Sequence, residues 1–544
     1  MPLLRGVTVL CLASASLLCA AAPPPVVLIS IDTLRADHLG IYGNRHIATP
    51  NIDSFADNGT VFTDIACQTP LTLPSHTTLF TSTYPFENGI QENAEQVPAG
   101  AVTLAAVLKS HGYKTAAFIG SVFLERQMGL DQGFDTYDSP FNFEAFSPLS
   151  GELFFGGIEN PYNVRDRRDG ALVVSSALRW ISANRTQPAF VFIHLFDLHT
   201  PYSLAPRKGL SRYDTQLEYA DELIGRLKKG LIQNGWWDRA LTVLLSDHGE
   251  GLGDHGETAH GYFIYQSTIH VPLIIHGTPG RVEQPGGLID VAPTILDLLH
   301  IPAPPSFEGT TLLTNTPRSV YSETLHTHDS FGWSPLRSIR LGKYKYIEAP
   351  HAELYDLDND PAERTNIMAA NPGAVRTLRG ELTKLQARYP RHASTTQAAN
   401  PQTQKLLNSL GYVAPGPHPT GPQPDPKDRL PEYRLYENSM DAQAHGHPAQ
   451  AAALLQQILT QDPTNTLARR DLGSCYLDLR QYEKARAALE KVAIAAPNDY
   501  ATQYGLGLAN KHLGHNEEAR QNFEAASRLA PNSSQARREL SLKQ

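Results

Sequence analysis

Four short apolar runs constrain this chain more than any other feature. They are VVLISI (26–31), AFVFIHLF (189–196), LTVLLS (241–246) and VPLIIH (271–276). None shows the polar alternation of a strand with one wet face, so each reads as a strand buried on both faces of a parallel sheet. Helical stretches lie between them, such as TPNIDSFADNG (49–59), with Thr49 as cap, Pro50 in the first turn and Gly59 as stop. Strands alternating with helices predict an α/β body with a doubly wound sheet, here assigned to residues 26–413. Within it, SVYSETL, SIRLGKYKYIEA and AELYDL read as short antiparallel strands, followed by a helix from about Pro372 to Tyr389. These form a small α+β subdomain, about 319–413, closing the body.

The tail follows a different rule. Pro463, Pro497 and Pro531 recur every 34 residues, Leu472-Gly473 returns as Leu506-Gly507, and Ala451, Ala485 and Ala519 keep one small position. Leu455, Leu489 and Phe523 keep one large position. This is the tetratricopeptide pattern of paired helices, in which small residues let helices cross and large ones fill the gap. It predicts an all-α repeat domain over 429–544 that binds a protein segment in its groove. Tyr476, Tyr482 and Tyr504 are expected to pack its core. The Pro-rich APGPHPTGPQPDPKD (414–428) reads as a semi-rigid linker.

The first 22 residues have a positive Arg5, an apolar stretch and small residues before PPP, which reads as a secretory signal peptide. The expected location is secreted or periplasmic. Membrane anchoring through an uncleaved N-terminus or a lipidated Cys19 is the alternative. A net charge of -9 argues against a nucleic-acid partner. Beyond the signal only Cys67 and Cys475 remain, in different domains, so neither a disulfide framework nor a cysteine metal site is expected.

Chemistry gathers where strands end. In open α/β sheets, ligands bind beyond the carboxyl ends of strands. VVLISI runs into Asp32, LTVLLS into Asp247-His248, and AFVFIHLF into Asp197-Leu198-His199. TPLTLPSHTTLFTS (69–82) opens a helix, because Pro74 fits a first turn, and Thr72 then lies close to the N-cap. A hydroxyl there is either a cap or a nucleophile at the positive end of a helix dipole. Asp32, Thr72, Asp247 and His248 form a tetrahedral set for a divalent metal that would lower the threonine pKa and polarise an ester oxygen. One imidazole and a threonine oxygen favour zinc or manganese; calcium also suits an oxygen-rich set.

These residues resemble the sulfatase branch of the alkaline phosphatase superfamily. The resemblance rests on ISIDTLRADHLGIYGN, TPNIDSFADNGTVF, LPSHTTLFTSTYP, FDLHTPY, SDHGEGLGDHGE and HGYFIYQSTIHVPLII, in order over residues 26–413. It implies an alkaline-phosphatase/sulfatase-like fold. Sulfatases use Cys-x-Pro-Ser-Arg or a serine variant, whose first residue becomes formylglycine; here the stretch is Thr72-Leu73-Pro74-Ser75-His76. Thr33 also replaces a second aspartate. Nucleotide pyrophosphatase/phosphodiesterases and phosphoethanolamine transferases, which use threonine nucleophiles, are similar at these points. The resemblance further implies that Asn93 holds an ester oxygen, that His199 contacts the ester and its leaving oxygen, and that His260 pairs with the bound anion. His260 alternatively joins Asp197 and His199 in a second metal site. His76 is assigned to substrate binding, with a loop hydrogen bond as the plainer role.

The function so implied is an exported, metal-dependent hydrolase of phosphate or sulfate esters acting through Thr72, with phosphodiesters or phosphonates favoured. Small-molecule, glycan or lipid esters are the substrate classes. The alternatives are a phospho-headgroup transferase and a non-catalytic anion-binding scaffold that recruits partners through its repeats. Asp254 and His255 read as loop-forming, Arg35 and Asp37 as a helical charge pair, and His326 and His328 as loop residues. Loops 135–170 and 200–215 are expected to shape the pocket.

Overall fold

The computed structural model describes residues 23–93, 95–141, 167–277, 279–388, 422–529 and 534–541. Residues 1–22, read above as a signal peptide, lie outside them, as do Pro531 and most of the stretches 135–170 and 414–428. The strands of the body are β1 (Val26–Ile31), β2 (Gly59–Ala66), β3 (Lys114–Phe118), β4 (Thr136–Asp138), β5 (Ala189–Leu195), β6 (Leu241–Leu245), β7 (His270–His276), β8 (Gly280–Val282) and β9 (Gly286–Gly287). Among the described residues they form one nine-stranded sheet in the order β4-β3-β5-β1-β6-β7-β2-β8, with β9 paired to β2. β5, β1 and β6 are parallel neighbours at its centre, so the ends that carry Asp32, His199 and Asp247 emerge on one edge.

Two expectations need correction. VPLIIH is buried as read, but β7 runs antiparallel to both β6 and β2. A parallel return needs a crossover helix. The chain from 246 to 269 instead loops over the strand ends, with only a short turn and the helix Gln266–Ile269. Burial on both faces gives the same apolar run in either direction. The stretch 49–59 also does not form one helix: it divides into the helix Pro50–Asp53 and a 3-10 turn at Ala56–Asn58, and Gly59 opens β2. Thr49 does not cap it. Its hydroxyl accepts from the Gly40 N–H (3.1 Å) and donates to Asp53 (3.2 Å), tying the preceding turn to the helix.

The sheet separates two cores. Val27, Ile29 and Ile31 of β1 pack with Val191, Ile193 and Leu195 of β5 under the helices Gly170–Ala183 and Arg212–Gln233. On the opposite face, Val26 and Leu28 pack with Phe190 and Phe192 beneath the helices Thr72–Thr81 and Val291–Leu298. Period-2 alternation then fixes which strand-end side chains reach which face.

The closing subdomain is a four-stranded antiparallel sheet, β10 (Ser319–Thr324), β11 (Leu336–Leu341), β12 (Tyr344–Glu348) and β13 (Glu353–Asp356). The helix Pro372–Arg388 lays Val375, Leu378 and Leu382 on Tyr321, Ile339 and Tyr346 of this sheet. His326 and His328 lie in a helix, His326–Phe331, rather than in a loop.

The tail is helical from Leu430 to Ser541 across the described residues, as antiparallel pairs and a final helix. Its small positions are required by close approach: a Cβ on Gly473 would come within 2.6 Å of Leu489, and one on Gly507 within 2.5 Å of Phe523. Tyr476 and Tyr504 are buried in the repeats, and Tyr482 stacks on His512 at 4.3 Å. The first repeat helix packs on the body, with Tyr433 over Tyr262 (ring centroids 3.8 Å) and Tyr436 against Phe331 (5.2 Å). No helix among the described residues is long and apolar enough to cross a membrane.

Candidate active site

The site is built where β1, β5 and β6 end. The Asp32 N–H continues the ladder by bonding the Leu195 carbonyl at 2.9 Å, which carries the aspartate past the sheet while leaving it fully buried. Thr33 then turns the chain with a positive φ of 57°. Its N–H donates to Asp247 Oδ1 (3.3 Å), and the Leu34 N–H to the Ser246 hydroxyl (2.9 Å), so the ends of β1 and β6 hold each other. Asp247 Oδ1 also accepts the His248 N–H at 3.0 Å.

Thr72 is the first residue of its helix; Leu71 occupies the N-cap position and offers no capping side chain. The cap arrives from a distance. Asn93 Oδ1 accepts the Leu73 N–H at 2.8 Å, satisfying one of the helix's orphan donors. The Thr72 hydroxyl instead donates to Asp32 Oδ2 at 3.3 Å. Asn93 Nδ2 is buried with no protein partner.

Three imidazoles stand around this centre. His248 Nδ1 donates to the Gly249 carbonyl (2.9 Å), which turns its Nε2 lone pair toward Asp247 Oδ2 (3.5 Å) and Asp32 Oδ1 (4.0 Å). A backbone carbonyl that fixes the tautomer in this way is the usual support of a ligating histidine. His260 lies 4.3 Å from the His248 ring and 5.0 Å from that of His199, and donates from Nδ1 to Glu250 at 3.0 Å. His199 stacks on Phe196, bonds the Thr200 carbonyl through Nδ1 at 2.5 Å, and leaves a buried Nε2 without a partner.

Other residues fall elsewhere. His76 is buried with both ring nitrogens occupied, by the Thr72 carbonyl (2.7 Å) and the Ser30 hydroxyl (3.0 Å). It therefore supports the helix terminus from behind rather than facing a substrate. Asp197 points to the other face of the sheet and accepts the Gly170 N–H at 3.0 Å, so it does not join His199 and His260 in a second metal site. Arg35 pairs with Asp37 (2.7 Å) beside a 3-10 turn, and also with Asp254 (2.9 Å), which anchors the 250s loop. His255 stacks on Tyr265 at 3.6 Å.

Two residues of the site were not singled out from the sequence. Glu250 follows Asp247-His248-Gly249, is fully buried and holds His260. His194 lies inside β5, paired in register with Ser30, and puts Nε2 3.3 Å from Asp32 Oδ2. Alternation along β5 was the available signal: His194 shares a face with Phe192, which lies on the Thr72 side of the sheet.

Burial opposes charge on the three carboxyls and on the imidazoles of His76, His194, His199 and His260. It pushes the Asp32 carboxyl up to about 7, against the pull of His248, and raises Asp247, to which Asp32 adds repulsion. Glu250 rises to about 8 by burial, while His76, His194 and His260 are each lowered to about 4 by the same cause. His199 is depressed further by burial and then by His260. Buried carboxyls beside neutral imidazoles are the state a divalent cation stabilises, since it needs the first ionised and the second uncharged. The geometry fits one. Donor atoms of Asp32, Asp247 and His248 lie within 4.8 Å of one another, and Asp32 Oδ1, Asp247 Oδ2 and His248 Nε2 are buried with no protein partner.

Comparison with known proteins agrees with this architecture. The sulfatase family model matches residues 24–301, and tetratricopeptide repeat models match 442–510 and 500–533. The ulvan-active sulfatase of Formosa agariphila is 25% identical over 418 residues, covering 66% of this chain and 79% of that protein. Human arylsulfatase A is 26% identical over 463 residues, covering 69% and 90%. The phosphonate monoester hydrolase of Agrobacterium radiobacter superposes with a TM-score of 0.55 at 22% identity, covering 67% of this chain and 96% of that one. The chain belongs to the sulfatase family: it is an ester hydrolase whose catalytic domain is followed by tetratricopeptide repeats.

Proposed function

We propose that this protein is an exported, metal-dependent hydrolase in which Thr72 attacks phosphorus, so that phosphodiesters or phosphonates are its substrates ahead of sulfate esters. The observation that carries the reading is the Thr72 hydroxyl. It sits at a helix N-terminus, does not cap it, and is bonded to Asp32 at 3.3 Å. A divalent cation held by Asp32, Asp247, His248 and Thr72, zinc or manganese by donor type, neutralises the ester's charge and lowers the pKa of the threonine hydroxyl.

The chain's own residues do the rest. Thr72 Oγ passes its proton to Asp32 Oδ2 and forms the bond to phosphorus. Asn93 Nδ2, oriented because its Oδ1 is held by Leu73, donates to a non-bridging oxygen as charge develops there. The charge of the bound anion raises the pKa of His199, which takes a proton from solvent, and its Nε2 gives that proton to the departing alcohol oxygen as the P–O bond breaks. Water then attacks phosphorus and gives its proton to His199, and Thr72 recovers its own from Asp32. His260 and Glu250 form the wall on the anion's other side.

Threonine favours phosphorus for a chemical reason. A formylglycine hydrate expels sulfate by collapsing to the aldehyde, and a threonine ester has no such route. The phosphonate hydrolase among the structural neighbours supports this reading of the fold, while the glycan and aryl sulfatases among the relatives support a glycan or aryl group as the organic part. The repeats would deliver the enzyme to a protein partner. The test is turnover of an aryl phosphodiester beside an aryl sulfate, with metal-loaded wild type and Thr72→Ala. Phosphodiester cleavage lost in the variant is expected. Sulfate cleavage that survives it overturns the assignment, and a metal-free fold silent on both substrates supports the scaffold.

A further inference from the structure

We infer that the first repeat helix, Leu430–Ala444, is a working part of the active site: Tyr433 and Glu437 are positioning residues that hold the 250–262 loop, and through it His260, in place beside the bound anion. The inference rests on the function proposed above and adds a brace to it.

The loop that carries His260 holds a single 3-10 turn, Asp254–Gly256. Its two limbs are tied to each other by the Gly251 and Gly253 N–H groups, which bond the Ala259 and Glu257 carbonyls at 2.6 and 2.7 Å. On one side the body holds it, where Arg35 pairs with Asp254 and donates to the Glu250 carbonyl at 3.1 Å. On the other side the partners come from the repeats.

His260, Gly261 and Tyr262 run from the site to that contact. His260 bonds Glu250 beside His248. Gly261 turns the chain at a φ of 97°, and a Cβ there would come within 3.1 Å of Leu71, the N-cap of the Thr72 helix. Tyr262 then sets its ring 3.8 Å from that of Tyr433 and donates its N–H to Glu257 at 2.8 Å. The hydroxyls of Tyr433 and Thr258 both donate to Glu437. Tyr262, Tyr433 and Glu257 are buried, so the contact is packed like a core, and a shift of the Tyr433 ring is felt by the segment that places His260. The tether is pinned as well. The Ser334 N–H bonds the Pro424 carbonyl and the His351 N–H bonds Asp425, each at 2.9 Å, which fixes the chain entering the helix to the closing subdomain.

The experiment joins hydrogen exchange of the 250–262 segment to kinetics on an aryl phosphodiester, in the full-length metal-loaded protein. Tyr433→Ala should speed exchange of the Gly251 and Tyr262 amides by more than about 10-fold, because local opening loses its brace. It should raise KM about 10-fold and leave kcat within about 2-fold, as loss of a contact kept throughout the reaction does. Tyr433→Phe keeps the ring and should restore both. Glu437→Ala cuts the tie to Thr258 at a half-buried position, should give a smaller change of the same kind, and can be read even where Tyr433→Ala does not fold. Tyr504→Ala, in a later repeat, controls for general damage to the repeats and should move neither readout. In a His260→Ala background the KM effect of Tyr433→Ala should vanish; an additive effect overturns the route through His260. Exchange unchanged in Tyr433→Ala and Glu437→Ala overturns the brace, whatever the kinetics. Faster exchange in the variants, beside a wild type that hydrolyses neither phosphodiester nor sulfate, supports the brace and overturns the function proposed for the site.

Discussion

Two of the helices that start at a threonine use it differently. At Leu104–Ser110 the residue is Thr103, extended at the N-cap, whose hydroxyl accepts the Ala106 N–H at 3.1 Å. At Thr72–Thr81 the N-cap is an apolar leucine with the same extended backbone, and the threonine stands one residue further in. There Asn93 supplies the missing acceptor, at 2.8 Å from Leu73. Importing a cap from elsewhere in the chain frees the hydroxyl to face Asp32. A side chain relieved of a structural duty that its position invites is a stronger mark of function than burial or charge.

The largest expected effect breaks this comparison at its functional end. Thr72→Ala should lower kcat by more than ~1,000-fold with metal saturating, because it deletes the attacking atom. The fold should persist, since the hydroxyl caps nothing; Tm and kcat on an aryl phosphodiester check both halves. Asn93 comes next, because it has two jobs that two substitutions separate. Asn93→Ala should lose the cap, about 1 kcal/mol, and the transition-state donor, about 100- to 1,000-fold in kcat. Asn93→Asp keeps an acceptor for the Leu73 N–H but has no N–H of its own. It should recover stability without activity, and recovery of both would assign Asn93 to capping alone.

How much of this was legible in the residues depends on which atoms carry the signal. Asp32 and Asp247-His248 were readable because each ends an apolar run, and strand ends converge in a parallel sheet. The cap at Asn93 was not, because an acceptor 20 residues further along the chain, beyond the helix's own end, leaves no pattern. Asp197 was misassigned and His194 passed over through the same omission. Alternation along β5 sends His194 to the Thr72 face and Asp197 to the opposite one, where it bonds Gly170. Counting residues from the strand's apolar core would have exchanged the two. The direction of β7 was beyond reach, since Val271, Leu273 and Ile275 are buried whichever way the strand runs.

A smaller effect sharpens the contrast between the charged floor and the ordinary core. Burial holds the Asp32 carboxyl at about 7 and Glu250 at about 8 in the metal-free protein, above the value near 4 of an unfolded chain. A carboxyl raised on folding binds its proton more tightly when folded. Its stabilisation is complete below about pH 4 and is lost as pH rises through 7. These two carboxyls lower the apo Tm between pH 5.5 and 8, while the buried imidazoles of His76, His194 and His260, neutral when folded, raise it over the same range, so the apo Tm should move little. Added zinc or manganese should raise Tm more at pH 8, because it needs those carboxylates ionised. At 100 times its Kd the metal adds about 2.7 kcal/mol. A metal-induced rise in Tm that does not grow between pH 5.5 and 8 would remove the floor from the binding site.

The smallest effect lies at the ordinary threonine. Thr103 is buried, and its hydroxyl both accepts from Ala106 and donates to the Gln132 carbonyl at 2.8 Å. Thr103→Ala removes a cap and leaves that carbonyl short of a donor, for a loss of about 1–2 kcal/mol. Thr103→Ser keeps both bonds and should cost less than half as much. Neither change should move kcat or KM, since the Thr103 hydroxyl bonds Ala106 and Gln132 rather than a residue of the site. If Thr103→Ala slowed turnover at full metal occupancy, the helix terminus as such would matter to the reaction. The distinction between a threonine that caps and a threonine that attacks would then fail. A melting curve with unchanged kinetics would leave Thr72 as the helix-leading threonine whose hydroxyl is kept for chemistry.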